Sequence, residues 1–499
     1  MSYLTEVTKI RRKVLSEIAK LTFGGELDEE SIVDILDNIV TEDGPRYRCC
    51  VHKERAVLKD RVKFIMAQPL DLNISEAAIH ALSGQVADMP IVNIMPEACD
   101  QCPIDTFFIT NACRNCVAHN CIASCPKNAI SVVQNQAYID KTRCVECGLC
   151  KKSCMYGAIV EITRPCERAC DIGAIKADKE RRAVINYEKC VECGGCKVAC
   201  PFGAITEQSF IVQIIQQIKA GKRVYAILAP AFISQFGVKV QPSQVVTAIK
   251  KIGFYEVQEV SFGADIVTLE EAKEFAEIVP LIQPFMTTSC CPAFVGMVDK
   301  HLPKLKEHVS TTVSPMVATG KVIKDADPEA VVVFIGPCIA KKAEAKQHSD
   351  IIDFVLTFEE MEALFVGAGI SPAAIDETEF ISTASRDGNA FARAGGVVQA
   401  VIDAAERIAP DLAVTPHRAE GLQNCKVALL QMKAGKVDAN FFEGMACTGG
   451  CVGGPGILID TRIGSKMVEK FASSSSMVTA LENQEAIDKS KKEIHWHNK

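Results

Sequence analysis

Hydrophobic positions change rhythm along this chain, and each change marks a domain. Through residues 1–95 apolar side chains recur at helical spacing in VTKIRRKVLSEIAKL, DEESIVDILDNIV, KERAVLKDRVKFIMAQ and SEAAIHALSGQ, with charges on the other faces. A helical N-terminal region is expected there, most simply a cap packed on the cysteine-rich region beyond it. Through residues 96–210 neither the helical nor the strand period is sustained, and short Ala-Ile pairs close cysteine-rich segments instead. From 211 to 465, runs such as KRVYAILAP, EVQEVSF, AVVVFIGPC, IIDFVLTF and CKVALLQM read as strands. They alternate with helical stretches, PSQVVTAIKKIG, TLEEAKEFAEIV, FEEMEALFVGAG and GGVVQAVIDAAERIA. Such alternation predicts parallel sheets with helices on both faces and functional loops beyond the strand C-termini. Residues 466–499 add a serine-rich hinge and a charged helix, expected as an appendage. Its His495 and His497 could bind metal, but a frayed tail is the simpler reading.

Composition narrows the setting. With 499 residues the chain has room for several domains and an ample core. A net charge of -7, with no long basic run, argues against nucleic acid as partner. No uninterrupted apolar run of 18 residues occurs, and the start, MSYLTEVTKIRRKVLSEIAK, is amphipathic rather than a signal peptide. A cytoplasmic protein without a membrane partner is expected. The 24 cysteines change the picture most. Dense disulfides belong to small secreted domains, whereas C-x-x-C spacing repeated along a large chain is that of metal ligation in a reducing compartment.

Between Cys99 and Cys200 an internal repeat emerges: CIASCPKNAI, CKKSCMYGAI, CERACDIGAI and CKVACPFGAI. Each copy resembles the half-unit of bacterial-type ferredoxins, in which the last cysteine of one half ligates the cluster of the other. That rule groups Cys113, Cys116 and Cys121 with Cys154, and Cys144, Cys147 and Cys150 with Cys125. It also groups Cys190, Cys193 and Cys196 with Cys170. Cys166 and Cys200 then lack a leading C-x-x-C, while Cys99 and Cys102 form an orphan one. A fourth 4Fe-4S cluster on Cys99, Cys102, Cys166 and Cys200 is the expectation; its rival has three clusters, with Cys99 and Cys102 on zinc, paired elsewhere or structural. The region reads as two tandem double-cluster units. Cys49 and Cys50 are adjacent and could not both ligate one cubane comfortably, so each is a ligand, a redox thiol or simply buried.

The remaining cysteines lie at three loops. FFEGMACTGGCVGGPG, from Phe441, sets Cys447 and Cys451 in a glycine-rich turn; TSCCP, from Thr288, carries Cys290 and Cys291; PCIAKKAE, from Pro337, carries Cys338. Cys291, Cys338, Cys447 and Cys451 would supply four thiolates, a set suited to a cubane iron-sulfur cluster.

These three segments, in this order, resemble the signature loops of iron-only (FeFe) hydrogenases over roughly residues 220–460. The resemblance implies a two-lobed α/β catalytic domain behind the ferredoxin-like units, a multidomain α+β and α/β protein. It implies an H-cluster: the cubane joined through Cys451 to a diiron unit with carbonyl, cyanide and dithiolate ligands, served by accessory 4Fe-4S clusters. By motif position Lys341 would donate to a cyanide, and Met445, Pro230 and Phe391 would line the pocket. Cys290 would head a proton relay continued by Glu271, Ser310 and Glu274, the two glutamates sharing one helix face. Departures from the family pattern fall at Ile278, where an arginine would end the relay, and at Ala231, Met316, Gly336 and Pro455. The expected activity is interconversion of H2 with protons and electrons, with ferredoxin or a similar one-electron carrier as partner and dedicated proteins maturing the diiron cofactor. A hydrogen sensor or slow, biased enzyme, and a noncatalytic iron-sulfur assembly relative, are the alternatives. The assembly relatives typically lose the residues that stand here as Cys290, Lys341 and Met445.

Overall fold

The computed structural model describes residues 4–100, 102–103, 105–180, 182–279, 281–376, 378, 380–492 and 494–498. The N-terminal region folds into the helices Glu6–Gly24, Glu29–Ile39, Val51–Ile65 and Ile74–Leu82. Side chains cap their starts: Thr5 accepts from the Thr8 N–H, Asn73 from the Glu76 N–H, and Asp28 and Ser31 form a reciprocal capping box. The first helix buries Val14, Leu15, Ile18 and Ala19, and Ala19 lies so close to Gly367 that a Cβ there would meet it at 2.7 Å. Arg61, on the third helix, donates to the Gly203 carbonyl at 2.7 Å. The helices therefore cap both the cysteine-rich region and the α/β domain.

The cysteine-rich region contains two-stranded antiparallel sheets whose pairing is nested rather than tandem. Val92–Ile94 pairs with Ile205–Glu207 and closes an outer unit. Inside it, Phe107–Ile109 pairs with Ile159–Glu161 and closes an inner unit. The hairpin Ile130–Val133 with Gln136–Ile139 packs in the inner unit, and Ile175–Ala177 with Ala183–Ile185 in the outer one. The tandem expectation is thus corrected: one unit is inserted into the other between Cys102 and Cys166. Such an insertion is tolerated because its ends leave side by side on paired strands. It also accounts for the orphan C-x-x-C, since the insertion separates Cys99 and Cys102 in sequence from the Cys166 segment they precede in the fold.

Two parallel sheets build the α/β domain. In the larger, the strand order is Glu256–Glu259, Val224–Leu228, Val331–Gly336, Phe354–Thr357; in the smaller it is Met286–Thr287, Phe441–Met445, Pro416–Glu420. Val224, Ala226, Val332, Val333, Val355 and Leu356 are fully buried, as strands covered on both faces must be. Two strand expectations fail. CKVALLQM lies within the helix Leu422–Lys433; Val427 is its one β-branched residue, and Leu, Lys, Gln and Met favour helix. EVQEVSF is divided, because Val260 already begins the long helix Val260–Ile278.

The C-terminal segment is docked, not frayed. Trp496 is 4% exposed, its carbonyl accepts from the Val313 N–H at 2.8 Å, and the Asn498 N–H donates to the Thr311 carbonyl at 2.6 Å. The chain's single tryptophan thus supplies a large apolar anchor.

Candidate metal centre and the path to it

Loops at the C-terminal ends of strands from both sheets converge. Val224–Leu228 leads to Pro230 and Ala231, Val331–Gly336 to Cys338, Met286–Thr287 to Cys290 and Cys291, and Phe441–Met445 to Cys447 and Cys451. Between them lies a cavity of about 80 Å³ lined by Cys291, Cys338, Cys447 and Cys451. Cys290, Lys341, Met445, Pro230 and Phe391 line the same cavity, as do Ala231 and Met316. Crevices at this end of parallel sheets are where such folds place ligands.

Local backbone chemistry fixes the cysteine loop. Gly449 and Gly450 have φ of 88° and 81°, a region that residues with a Cβ avoid. A Cβ on Gly450 would also meet the Ala394 nitrogen at 2.6 Å. The Ala394 N–H donates to the Gly449 carbonyl at 3.1 Å and the Val452 N–H to the Ala392 carbonyl at 3.0 Å, lacing this loop to the one carrying Phe391. Glu443, on the strand leading in, accepts from the Gly395 and Val398 N–H groups at 2.6 and 2.7 Å.

The donor set is that of a metal cluster. Burial pushes the Cys451 thiol up to about 12 and raises Cys338 and Cys447 as well. Thiols that resist ionisation this strongly become thiolates only beside compensating positive charge, which bound iron supplies. The residues fit a four-thiolate cluster group.

Lys341 is buried, with its ammonium 2.6 Å from Glu344 and 3.3 Å from the Cys290 carbonyl. Burial opposes its charge, but Glu344 and Cys338 outweigh that and hold its pKa above the ordinary lysine value. It is a fixed cationic donor on the cavity wall. Its neighbour Lys342 is no surface residue: it is fully buried against Glu360 and the Gln208 carbonyl, each at 2.7 Å.

Behind Cys290 runs a buried polar path. The Ser289 N–H and hydroxyl donate to Glu271 Oε1 at 3.1 and 3.2 Å. Glu271 is fully buried, and its Oε2 has no partner in the protein. Burial, aided by the nearby Glu274 charge, pushes the Glu271 carboxyl up to about 8, so that it is a neutral acid at pH 7. Ser310 lies close to Glu271 and donates to Glu274 Oε2 at 2.6 Å. Both glutamates are on Val260–Ile278, as their spacing implies. Sequence reasoning missed Ser289, Thr311 and His497 on this path. The signal for the last was the lone tryptophan beside it, since so large an apolar side chain is seldom left in a free tail.

The accessory cysteines lie close to one another. Cys166 feels Cys200, Cys102 and Cys99; Cys196 feels Cys193, Cys190 and Cys170; Cys121 feels Cys154 and Cys116; Cys125, Cys144, Cys147 and Cys150 line one small hollow. Cys113 packs in one apolar cluster with Cys121, Cys125, Cys144, Cys150 and Cys154. Equivalent N–H···S bonds recur, from Ala129 to Cys125 at 3.2 Å, Ala174 to Cys170 at 3.1 Å and Ala204 to Cys200 at 3.3 Å. The sequence repeat is therefore a repeat of sulfur environments, of the kind that stabilises cluster thiolates. Cys193 also lines the central cavity. Cys49 is exposed, with its sulfur 3.8 Å from that of Cys50, so it is no core residue.

An α/β domain enclosing a four-cysteine cavity, fed by ferredoxin-like units, defines a class of iron-sulfur protein. The family described as "Iron only hydrogenase large subunit, C-terminal domain" matches residues 222–455, and "4Fe-4S binding domain" matches 183–206. The chain is 29% identical to iron hydrogenase 1 of Clostridium pasteurianum, over 52% of this chain and 53% of that one. It is 30% identical to the periplasmic Fe hydrogenase large subunit of Nitratidesulfovibrio vulgaris, over 50% and 72%. This chain belongs to the iron-only hydrogenase family. It spans about half the length of the Clostridium relative. Cytosolic iron-sulfur assembly component 3 of Mus musculus is also similar, at 25% identity over 50% of this chain and 63% of that one. A solved FeFe hydrogenase structure shares the fold, with a TM-score of 0.50 and 22% identity over 57% of this chain and 94% of that one. Among the described residues, no helix is long and apolar enough to cross a membrane.

Proposed function

We propose that this protein is an FeFe hydrogenase that interconverts H2 with protons and electrons. The observation that carries the reading is the convergence of Cys291, Cys338, Cys447 and Cys451 with Cys290, Lys341 and Met445 on one buried cavity. The four thiolates would hold the cubane and, through Cys451, the diiron unit. When bound, that group supplies the hydrogen chemistry.

The chain's residues do the rest. Lys341 presents a charge-assisted donor to an anionic ligand, and Met445, Pro230 and Phe391 exclude water. The Cys290 thiol, raised by burial, keeps its proton until a stronger base or a reacting centre takes it. Glu271 is a neutral acid at pH 7 and replenishes that proton, with Ser310 and Glu274 behind it. The accessory sites, assigned to four 4Fe-4S clusters, extend from the exposed Cys147 to Cys193 on the cavity wall. This suits a soluble one-electron carrier such as ferredoxin, in a reducing cytoplasm, with dedicated proteins installing the diiron unit.

The competing reading is an iron-sulfur assembly protein, the function in the name of the mouse relative. Retention of Cys290, Lys341 and Met445 around the cavity favours the enzyme. Infrared spectroscopy of anaerobic protein matured with the diiron cofactor separates the two. Carbonyl and cyanide bands that shift under hydrogen are expected; verified maturation without such bands would favour the assembly reading.

A further inference from the structure

The polar path behind Cys290 does not end at Glu274. Thr311 donates its hydroxyl proton to Glu274 Oε1 at 2.8 Å, and its N–H reaches the same oxygen at 2.8 Å. On its other side the Thr311 hydroxyl lies 2.9 Å from His497 Nδ1. The imidazole is held there by the docked C-terminal segment: His497 bridges to Thr312 as a strand partner, Trp496 is buried, and Lys321 donates to the His495 carbonyl. The His497 side chain remains 44% exposed, with Nε2 3.7 Å from Glu270 Oε2. One turn beyond Glu274 on the same helix stands Ile278, which has no proton to exchange.

We infer that His497 is the solvent-facing proton-exchange residue of this relay, joined to Glu274 through the Thr311 hydroxyl. The inference rests on the hydrogenase reading above. For an inward proton, imidazolium Nδ1–H gives its proton to Thr311 Oγ while the Thr311 hydroxyl proton passes to Glu274 Oε1. Neutral imidazole, an intact hydroxyl and a neutral carboxyl result, and Nε2, facing water, is the atom that recharges the ring. The hydroxyl is already oriented for this, donating to Glu274 and open to accept from Nδ1. Imidazole is suited to the task because its ordinary titration lies near neutrality. The charged groups facing it are Glu270 and Glu274 from Val260–Ile278, with Lys273 paired to Glu270 at 2.7 Å and Lys321 on the tail backbone. His497 would touch neither the substrate nor the metal group; it acts through Glu274.

The test uses the full-length, matured protein. His497→Gln should retain wild-type infrared bands and slow hydrogen turnover by about tenfold. Its rate should lose the pH dependence of the wild type around neutrality, and millimolar imidazole in the buffer should restore much of the loss. Thr311→Val should slow turnover similarly without imidazole rescue. The single tryptophan, adjacent to His497, reports docking directly, so unchanged emission is expected in both variants. A His497→Gln enzyme with the wild-type rate and pH profile would overturn the inference. So would slow turnover with shifted tryptophan emission and no imidazole rescue, which marks a purely structural role. Wild-type protein without carbonyl and cyanide bands would instead overturn the underlying hydrogenase reading, and this inference with it.

Discussion

Glu271 shows function set against stability. Its folded pKa, raised to about 8, means that a proton is retained in the folded state that the unfolded chain has released above about 4.5. For a carboxyl whose folded pKa is raised, stability is fully present below the unfolded pKa and is lost as pH rises toward the folded one. Between those limits the burden grows to the order of 5 kcal/mol, since each unit is worth about 1.4 kcal/mol. Glu271→Gln can still accept the Ser289 N–H and hydroxyl bonds on its carbonyl oxygen. The variant is therefore expected to unfold at a higher temperature than wild type at pH 8, with the gap closing by pH 4.5. Its hydrogen turnover should fall by about two orders of magnitude or more, because the amide carries no transferable carboxyl proton. Equal melting temperatures at pH 8 would refute the buried neutral acid. Residues of this kind were legible unevenly. Cys290, Lys341 and Met445 sit in ordered motifs and Glu271 and Glu274 on one helical face, so their side chains converge as spacing implies. Thr311 and His497 meet across the fold, through tail docking that no local spacing encodes.

At the level of elements, the cysteine repeat was legible but its nesting was not, because a half-unit looks the same whether it follows its partner or is interrupted by another unit. Strand pairing decides: the Ile162 N–H donates to the Thr106 carbonyl at 2.8 Å, so the ends of the insertion emerge together. Replacing residues 105–162 with a short glycine-serine linker should leave an outer unit and α/β domain that fold, with about eight fewer iron atoms per chain after reconstitution. Loss of all accessory iron, or an insoluble chain, would contradict the nested arrangement. The α/β alternation was legible for the same physical reason that the large sheet is stable, its strands being apolar on both faces. Leu422–Lys433 was misread because a short apolar run carries no period of its own. Gly444 shows what a strand pattern hides. A Cβ there would overlap the ring of Phe294, a fully buried side chain beneath the cysteine loop. Gly444→Ala should cost about 1–3 kcal/mol by overpacking, read as a lowered melting temperature. Cys447 and Cys451 follow this strand, so iron retention should fall with it.

The whole molecule is tied together by charges buried where its three regions meet. Glu359, at the start of a helix of the α/β domain, accepts from Arg11 Nε and Nη2 of the N-terminal helix, both at 2.8 Å. Lys197, in the outer ferredoxin-like unit, lies 3.4 Å from Glu359 and 2.6 Å from Glu207. Glu359 is 3% exposed. Burial alone would raise its pKa, but Lys197 and Arg11 outweigh that and bring it to about 2. A depressed carboxyl contributes stability above its unfolded pKa, near 4.5, and loses it as pH falls toward the folded value. The contribution is about 3 kcal/mol at neutral pH on that scale. Removing the charge also strands Arg11 and Lys197, and breaking one partner of a buried pair costs about 3–5 kcal/mol. Glu359→Gln should therefore lower the unfolding temperature by several degrees at pH 7. Because the pair is out of contact with bulk salt, the deficit should persist at high ionic strength. It should shrink as pH is lowered below 4.5, where wild type begins to suffer the same loss on protonation. A deficit that is constant from pH 7 to 3.5, or that vanishes in salt, would show that the network is an exposed ornament rather than the joint that seats the N-terminal cap and the cluster units on the α/β domain.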